Sequence, residues 1–207
     1  MESLESLFRA HKVCAILRGV PMETVMDYAG AAYDGGVRLF EVALNSPRAL
    51  EQIAALGAAF GEEAYVGAGT VTTPELARQA SAAGARFLLS PSASPEVLDW
   101  CARAGLPILP GVMTPTDVDL CMRHGWSTLK LFPAGDLPAF YLRNLLGPFD
   151  SARFVAVGGI NLENAGDFLA RGFIGVGIGG GLIPRELAAA GAWARAAERI
   201  HGMMTRL

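Results

Sequence analysis

Eight short apolar segments recur along this chain at steps of about 20–26 residues, and each is followed by a stretch of helical periodicity. The segments are Val13–Gly19, Leu39–Asn45, Tyr65–Val71, Phe87–Ser92, Pro107–Val112, Thr128–Ala134, Arg153–Gly159 and Phe173–Gly180. They are rich in Val, Ile, Leu and Phe and mostly lack polar alternation, which is how strands read when both faces are covered. Pro47, Pro74, Pro95, Pro115 and Pro184 fall where the first turn of a helix tolerates proline, and glycines such as Gly84, Gly105, Gly125 and Gly172 fall where helices end. Glu2–His11 reads as an extra N-terminal helix and Glu186–Thr205 as the last one. No linker interrupts the run, so residues 1–207 are expected to form one (β/α)₈ TIM barrel, with a doubly wound open sheet as the alternative.

Composition narrows the function classes. With 52% apolar residues and a net charge of −3, the chain has ample material for a core and is not of disordered type. No stretch free of Asp, Glu, Lys and Arg exceeds 13 residues, which is too short for a spanning helix, and the acidic start does not read as a secretory signal. Cys14, Cys101 and Cys121 are widely spaced with no C-x-x-C pair, which fits reduced thiols in a cytoplasmic protein. Nothing resembles a basic nucleic-acid patch. His11, His124 and His201 fall in expected helices or at their ends, away from the strand ends. With no His-x-His or Cys cluster, neither a metal nor a cofactor is expected.

In a barrel of this kind the site lies where strands run into the following loops. The polar residues there are Arg18, Glu41, Asn45, Thr70, Ser90, Thr114 and Lys130. The 17 basic residues include only two lysines, Lys12 and Lys130, and Lys130 sits inside the apolar run Thr128-Leu-Lys-Leu-Phe-Pro133. A lysine buried there would be a counter-ion or a desolvated amine able to attack a carbonyl. Glu41, on strand two, would face it across the barrel mouth as a counter-ion, a general acid/base, or both. Two glycine clusters, Val157-Gly158-Gly159-Ile-Asn161 and Gly177-Ile-Gly179-Gly180-Gly181, follow strands seven and eight, where barrels often hold a phosphate on backbone N–H groups. Gly67-Ala-Gly-Thr70 lacks the third glycine of a dinucleotide fingerprint and is discounted.

Six motifs, taken together and in order, resemble the 2-keto-3-deoxy-6-phosphogluconate/6-phosphogalactonate aldolases. They are Ala15-Ile-Leu-Arg-Gly19, Glu41-Val-Ala-Leu-Asn-Ser-Pro47, Val66-Gly-Ala-Gly-Thr-Val71, Pro110-Gly111, Leu129-Lys-Leu-Phe-Pro133 and Ala156-Val-Gly-Gly159. The resemblance implies a class I aldolase, usually trimeric, with Lys130 forming the Schiff base and Glu41 as general acid/base. It also implies that Arg18 and the Thr70 region bind the pyruvyl carboxylate, while Gly158, Gly159, Gly179 and Gly180 hold the phosphate of a keto-deoxy sugar acid. The phosphogluconate branch typically reads Glu-Val-Thr-Leu-Arg-Thr and Thr-Gly-Gly at two of these motifs. Asn45 and Val157 stand here instead, as in the phosphogalactonate branch. Gly180 stands where the family often has serine, leaving backbone N–H groups for the phosphate. A phosphate-binding isomerase or epimerase and a non-catalytic sugar-phosphate-binding protein are the rival classes.

Overall fold

The computed structural model describes residues 2–207. Nine strand segments all pair in parallel: β1 Val13–Leu17, β2 Leu39–Ala43, β3 Tyr65–Gly69, β4 Leu88–Leu89, β5 Ile108–Leu109, β6 Gly111–Val112, β7 Thr128–Leu131, β8 Arg153–Val157 and β9 Gly175–Ile178. Their order is β5-β4-β3-β2-β1-β9-β8-β7-β6, so the two outermost segments are β5 and β6. Only Pro110 separates those two in the chain. They are the halves of the single strand expected at Pro107–Val112, interrupted because proline has no N–H to donate. The Pro110 carbonyl still accepts a hydrogen bond from the Lys130 N–H at 2.9 Å. The sheet therefore closes on itself through a covalent bond, and the (β/α)₈ barrel replaces the open-sheet alternative.

Among the described residues ten α-helices accompany the strands: α1 Leu4–His11, α2 Val25–Asp34, α3 Ala49–Phe60, α4 Pro74–Ala82, α5 Pro95–Ala104, α6 Pro115–Arg123, α7 Tyr141–Leu146, α8 Ala165–Ala170, α9 Arg185–Ala189 and α10 Trp193–Met204. Pro74, Pro95 and Pro115 open α4, α5 and α6 as expected. Pro47 and Pro184 do not sit in a first turn. Pro47 lies two residues before α3, and Pro184 immediately precedes α9. The expected last helix, Glu186–Thr205, is broken in two by Gly191, whose φ of +61° has no place in a right-handed helix. No helix of the described residues is long and apolar enough to cross a membrane.

Strand alternation sorts the core into two layers. One face of each strand (Val13, Ala15 and Leu17 on β1; Phe40 and Val42 on β2; Leu129 and Leu131 on β7) packs against the helices. The other face points into the barrel, where Cys14, Ile16, Leu39, Phe87, Leu109 and Val155 form a separate apolar cluster. Leu4, Leu7 and Phe8 of α1 join that inner cluster, so α1 plugs the barrel at the end where the strands begin. Glycine makes room inside: a Cβ on Gly67 would meet Phe87, and one on Gly175 would meet Phe8.

The plug carries a stability prediction. Phe8 is fully buried, so Phe8→Ala should cost about 3–5 kcal/mol through lost burial and the cavity left behind. Chemical denaturation read by circular dichroism measures this. A loss below about 1 kcal/mol would show that α1 is not part of the core.

Candidate active site

Glu41 and Lys130 occupy the inward face of β2 and β7 and are 1% and 5% exposed. Burial pushes the Glu41 carboxyl above the usual range, against the opposing pull of the Lys130 and Arg18 cations. Burial pushes the Lys130 amine below its usual range, with Glu41 opposing that shift and Arg18 adding to it. Burial thus shifts each pKa toward the other, and the charge of each group opposes the shift of its partner. Glu41 Oε2 is buried without a hydrogen-bond partner, and the Lys130 Nζ lies 5.0 Å from the centroid of the Phe132 ring. Cys14, below them in the barrel, is held as a neutral thiol, its pKa raised well above normal by burial and by the Glu41 charge.

A residue that the sequence reading passed over fixes Glu41. The Glu41 carboxylate fills the space that a Cβ on Gly69 would occupy. Gly69 lies on β3, paired with β2 in a register that sets Ala43 against Gly69 and Glu41 against Gly67. The Gly67-x-Gly69 alternation was the available signal, because two glycines on one strand face leave a slot for a neighbouring strand's side chain.

Three loops converge beside this pair. The Arg18 guanidinium donates to Asn45 Oδ1 and to Thr70 Oγ1, each at 3.4 Å. Such long contacts are weak and leave the guanidinium able to grip an anion. Thr70 has a φ of +61°, a conformation β-branched residues rarely adopt, and strain of this sort gathers at functional sites. The Gly19 N–H donates to Ser46 Oγ at 2.9 Å, tying the loops after β1 and β2 together. Ser46 was not among the expected residues.

The two glycine clusters meet as expected. Val157, Gly158, Gly159, Gly179 and Gly180 line one cavity of about 480 Å³ together with Arg18 and Phe132. Gly158 and Gly159 have φ of +91° and +75°, which only glycine adopts freely. The Gly135 N–H donates to the Gly158 carbonyl at 2.8 Å, bracing the loop. Val157 is 4% exposed and points inward one layer above the level of Lys130, since Lys130 pairs with Val155. It therefore stands between the amine and the glycine loops.

Two of the polar strand-end residues do not join. Ser90 donates to the Ser92 carbonyl at 2.7 Å. Thr114 caps α6, accepting from the Asp117 N–H while the Asp117 carboxylate accepts from the Thr114 N–H. Among the described residues no group of three His, Cys, Asp or Glu side chains could hold a metal ion. A second cavity of about 380 Å³, lined by Ser3, Leu106 and Trp126, lies at the opposite end of the barrel, away from these groups.

The arrangement thus offers a desolvated amine, a buried carboxyl and an anion-binding rim in one barrel mouth. Comparison with known proteins points the same way. Residues 4–199 match the family model for KDPG and KHG aldolase. The 2-dehydro-3-deoxy-phosphogluconate aldolase of Treponema pallidum is 35% identical over 94% of this chain and 89% of its own length. The 2-dehydro-3-deoxy-6-phosphogalactonate aldolase of Escherichia coli is 34% identical over 81% and 82%. Among solved structures, the KDPG aldolase of Legionella pneumophila, with pyruvate captured as a covalent carbinolamine, superposes with a TM-score of 0.87. It is 30% identical, covering 96% of this chain and 97% of that one. A native KDPGal structure has a TM-score of 0.82 at 28% identity, covering 94% and 96%.

Because the chain has two lysines, [¹³Cε]-lysine labelling gives two signals, assigned with Lys12→Arg. The Lys130 signal should titrate below the usual 10.5 of lysine. Glu41→Gln removes the charge that props up the cation, so the midpoint should fall further. An upward move would refute the coupling between the two side chains.

Proposed function

The chain belongs to the KDPG and KHG aldolase family, and from that premise we propose that it is a class I aldolase cleaving 2-dehydro-3-deoxy-6-phosphogalactonate to pyruvate and D-glyceraldehyde 3-phosphate. The observation that carries the choice of substrate is Val157, an isopropyl group between Lys130 and the glycine loops. A substrate with its ketone at Lys130 and its phosphate on the loops passes Val157 near C4, the one centre at which the two candidate epimers differ. Valine denies the C4 hydroxyl a hydrogen bond there and so removes the contact that would reward the gluconate configuration.

The chemistry follows from the two buried groups. The neutral Lys130 amine attacks the C2 ketone, and loss of water gives an iminium. Glu41, directly or through water, takes the proton of the C4 hydroxyl as the C3–C4 bond breaks, its electron pair flowing into the iminium. Glyceraldehyde 3-phosphate leaves. The enamine is protonated at C3, and one water hydrolyses the resulting imine to pyruvate and free Lys130. Arg18, supported by Asn45 and Thr70, binds the substrate carboxylate, and the N–H groups around Gly158, Gly159, Gly179 and Gly180 bind the phosphate. No step calls on a cofactor. We place the enzyme in the cytoplasm as a homotrimer, for which exposed Met113 and Phe140 supply apolar surface.

Borohydride with pyruvate should add one stable adduct on Lys130 and none on Lys12. Glu41→Gln should retain the adduct while cleaving roughly 10²–10⁴-fold more slowly. An adduct on Lys12 alone, or none, would refute the Schiff-base assignment.

Parallel assays of the two epimers test the substrate. The galactonate epimer should have the higher kcat/KM, on the order of 10-fold, the equivalent of about 1.4 kcal/mol. Val157→Thr should shift the ratio toward the gluconate epimer without abolishing either reaction. Equal rates in the unmodified enzyme would overturn the preference and leave the Lys130 chemistry intact.

A further inference from the structure

Two cavities adjoin at the barrel mouth. The first is the glycine-walled one described above. The second, of about 320 Å³, is lined by Arg18, Gly19, Thr24, Gly180, Arg185 and Trp193, among others. Ile16, Arg18 and Gly180 border both. Nothing lies within 4 Å of where a Cβ on Gly180 would sit, so the side-chain position between the cavities is open.

The second cavity is charged in one sense only. Arg18 and Arg185 are among its lining residues and no Asp or Glu is; Glu186, next to Arg185 in the chain, is not part of the wall. Arg185, like Arg18, makes no ion pair among the described residues, whereas Arg9, Arg78 and Arg123 are paired with carboxylates on their own helices and Arg48 with Glu51 of α3. An unneutralised guanidinium in a cavity adjoining a nest of glycine N–H groups is suited to an anion.

We propose that Arg185 is a specificity-determining residue of the aldolase reaction, reaching the substrate's terminal phosphate across the opening at Gly180 and favouring phosphorylated over unphosphorylated keto-deoxy acids. The proposal rests on the reading above that the substrate carries a phosphate. The glycine loops offer N–H donors to some phosphate oxygens, and the guanidinium fork supplies charge and two parallel donors to the rest. Because Arg185 is exposed at the start of the short helix α9, replacing it removes no core contact and the fold is expected to stand.

The test compares the enzyme with its Arg185→Ala and Arg185→Lys variants on the phosphorylated substrate and on its dephosphorylated counterpart, with inorganic phosphate as a competitive probe. Arg185→Ala should raise KM for the phosphorylated substrate and Ki for inorganic phosphate about 10-fold, the scale of one charge-assisted contact. Its kcat, its pyruvate trapping and its rate on the dephosphorylated substrate should stay within two-fold. Arg185→Lys should recover part of the loss by keeping the charge. Unchanged KM and Ki, or equal losses on both substrates, would overturn the role of Arg185. Failure of the unmodified enzyme to prefer the phosphorylated substrate would instead overturn the phosphate reading on which the proposal stands.

Discussion

Burying a lysine and a glutamate inside one apolar barrel is the constraint around which the rest of this structure is arranged. Desolvation works against both charges, and direct pairing in a tight ion pair would offset that cost while leaving the amine inert. The arrangement here lies between those limits. Glu41 and Lys130 feel each other's charge, yet the Glu41 Oε2 is left without a partner. Burial moves the carboxyl pKa up and the amine pKa down, toward one another, while each partner's charge opposes the shift. An oxygen with no protein hydrogen bond is free to take up a proton.

Holding that geometry depends on neighbours with no side chain at all. Gly69 leaves room for the Glu41 carboxylate, and on β9 a Cβ at Gly177 would meet Ile16 and Val157. Lys130 is held from behind, through its backbone N–H on the Pro110 carbonyl. The break that proline makes in strand pairing therefore falls at the register position of the lysine. The seam of the barrel and the position of the amine are one structural feature.

How much of this was legible follows from the range of each cause. Strand spacing and the isolated Lys130 are local in sequence, so the barrel, the inward pairing of Glu41 with Lys130, and the joining of the two glycine clusters could be read directly. The gathering of Arg18, Asn45 and Thr70 followed from their common place at strand ends. The Gly67-x-Gly69 alternation marks a slot on one strand face, but which side chain fills it depends on cross-strand register, and that is not local in sequence. The split of the last helix turned on one residue, Gly191, inside a strong helical period. Thr114 was misplaced among the polar strand-end candidates although its Thr-x-x-Asp spacing is that of a capping box, a signal of local structure that outweighs its position. Arg185 carries no motif, and only the shape of the adjoining cavities draws attention to it.

The two ends of the barrel divide the labour between stability and function. The end where strands begin is closed by Leu4, Leu7 and Phe8, which contribute burial and no chemistry. The opposite end gathers the costly features: the strained Thr70, the positive-φ glycines and the guanidiniums of Arg18 and Arg185. Backbone strain of the kind at Thr70 costs roughly 1–3 kcal/mol. A barrel can hold such strain because its closed parallel sheet, hydrogen-bonded around the circle, fixes where every loop begins. The N–H and guanidinium donors on these loops are therefore oriented in advance, and an anion bound there need not order the loops first.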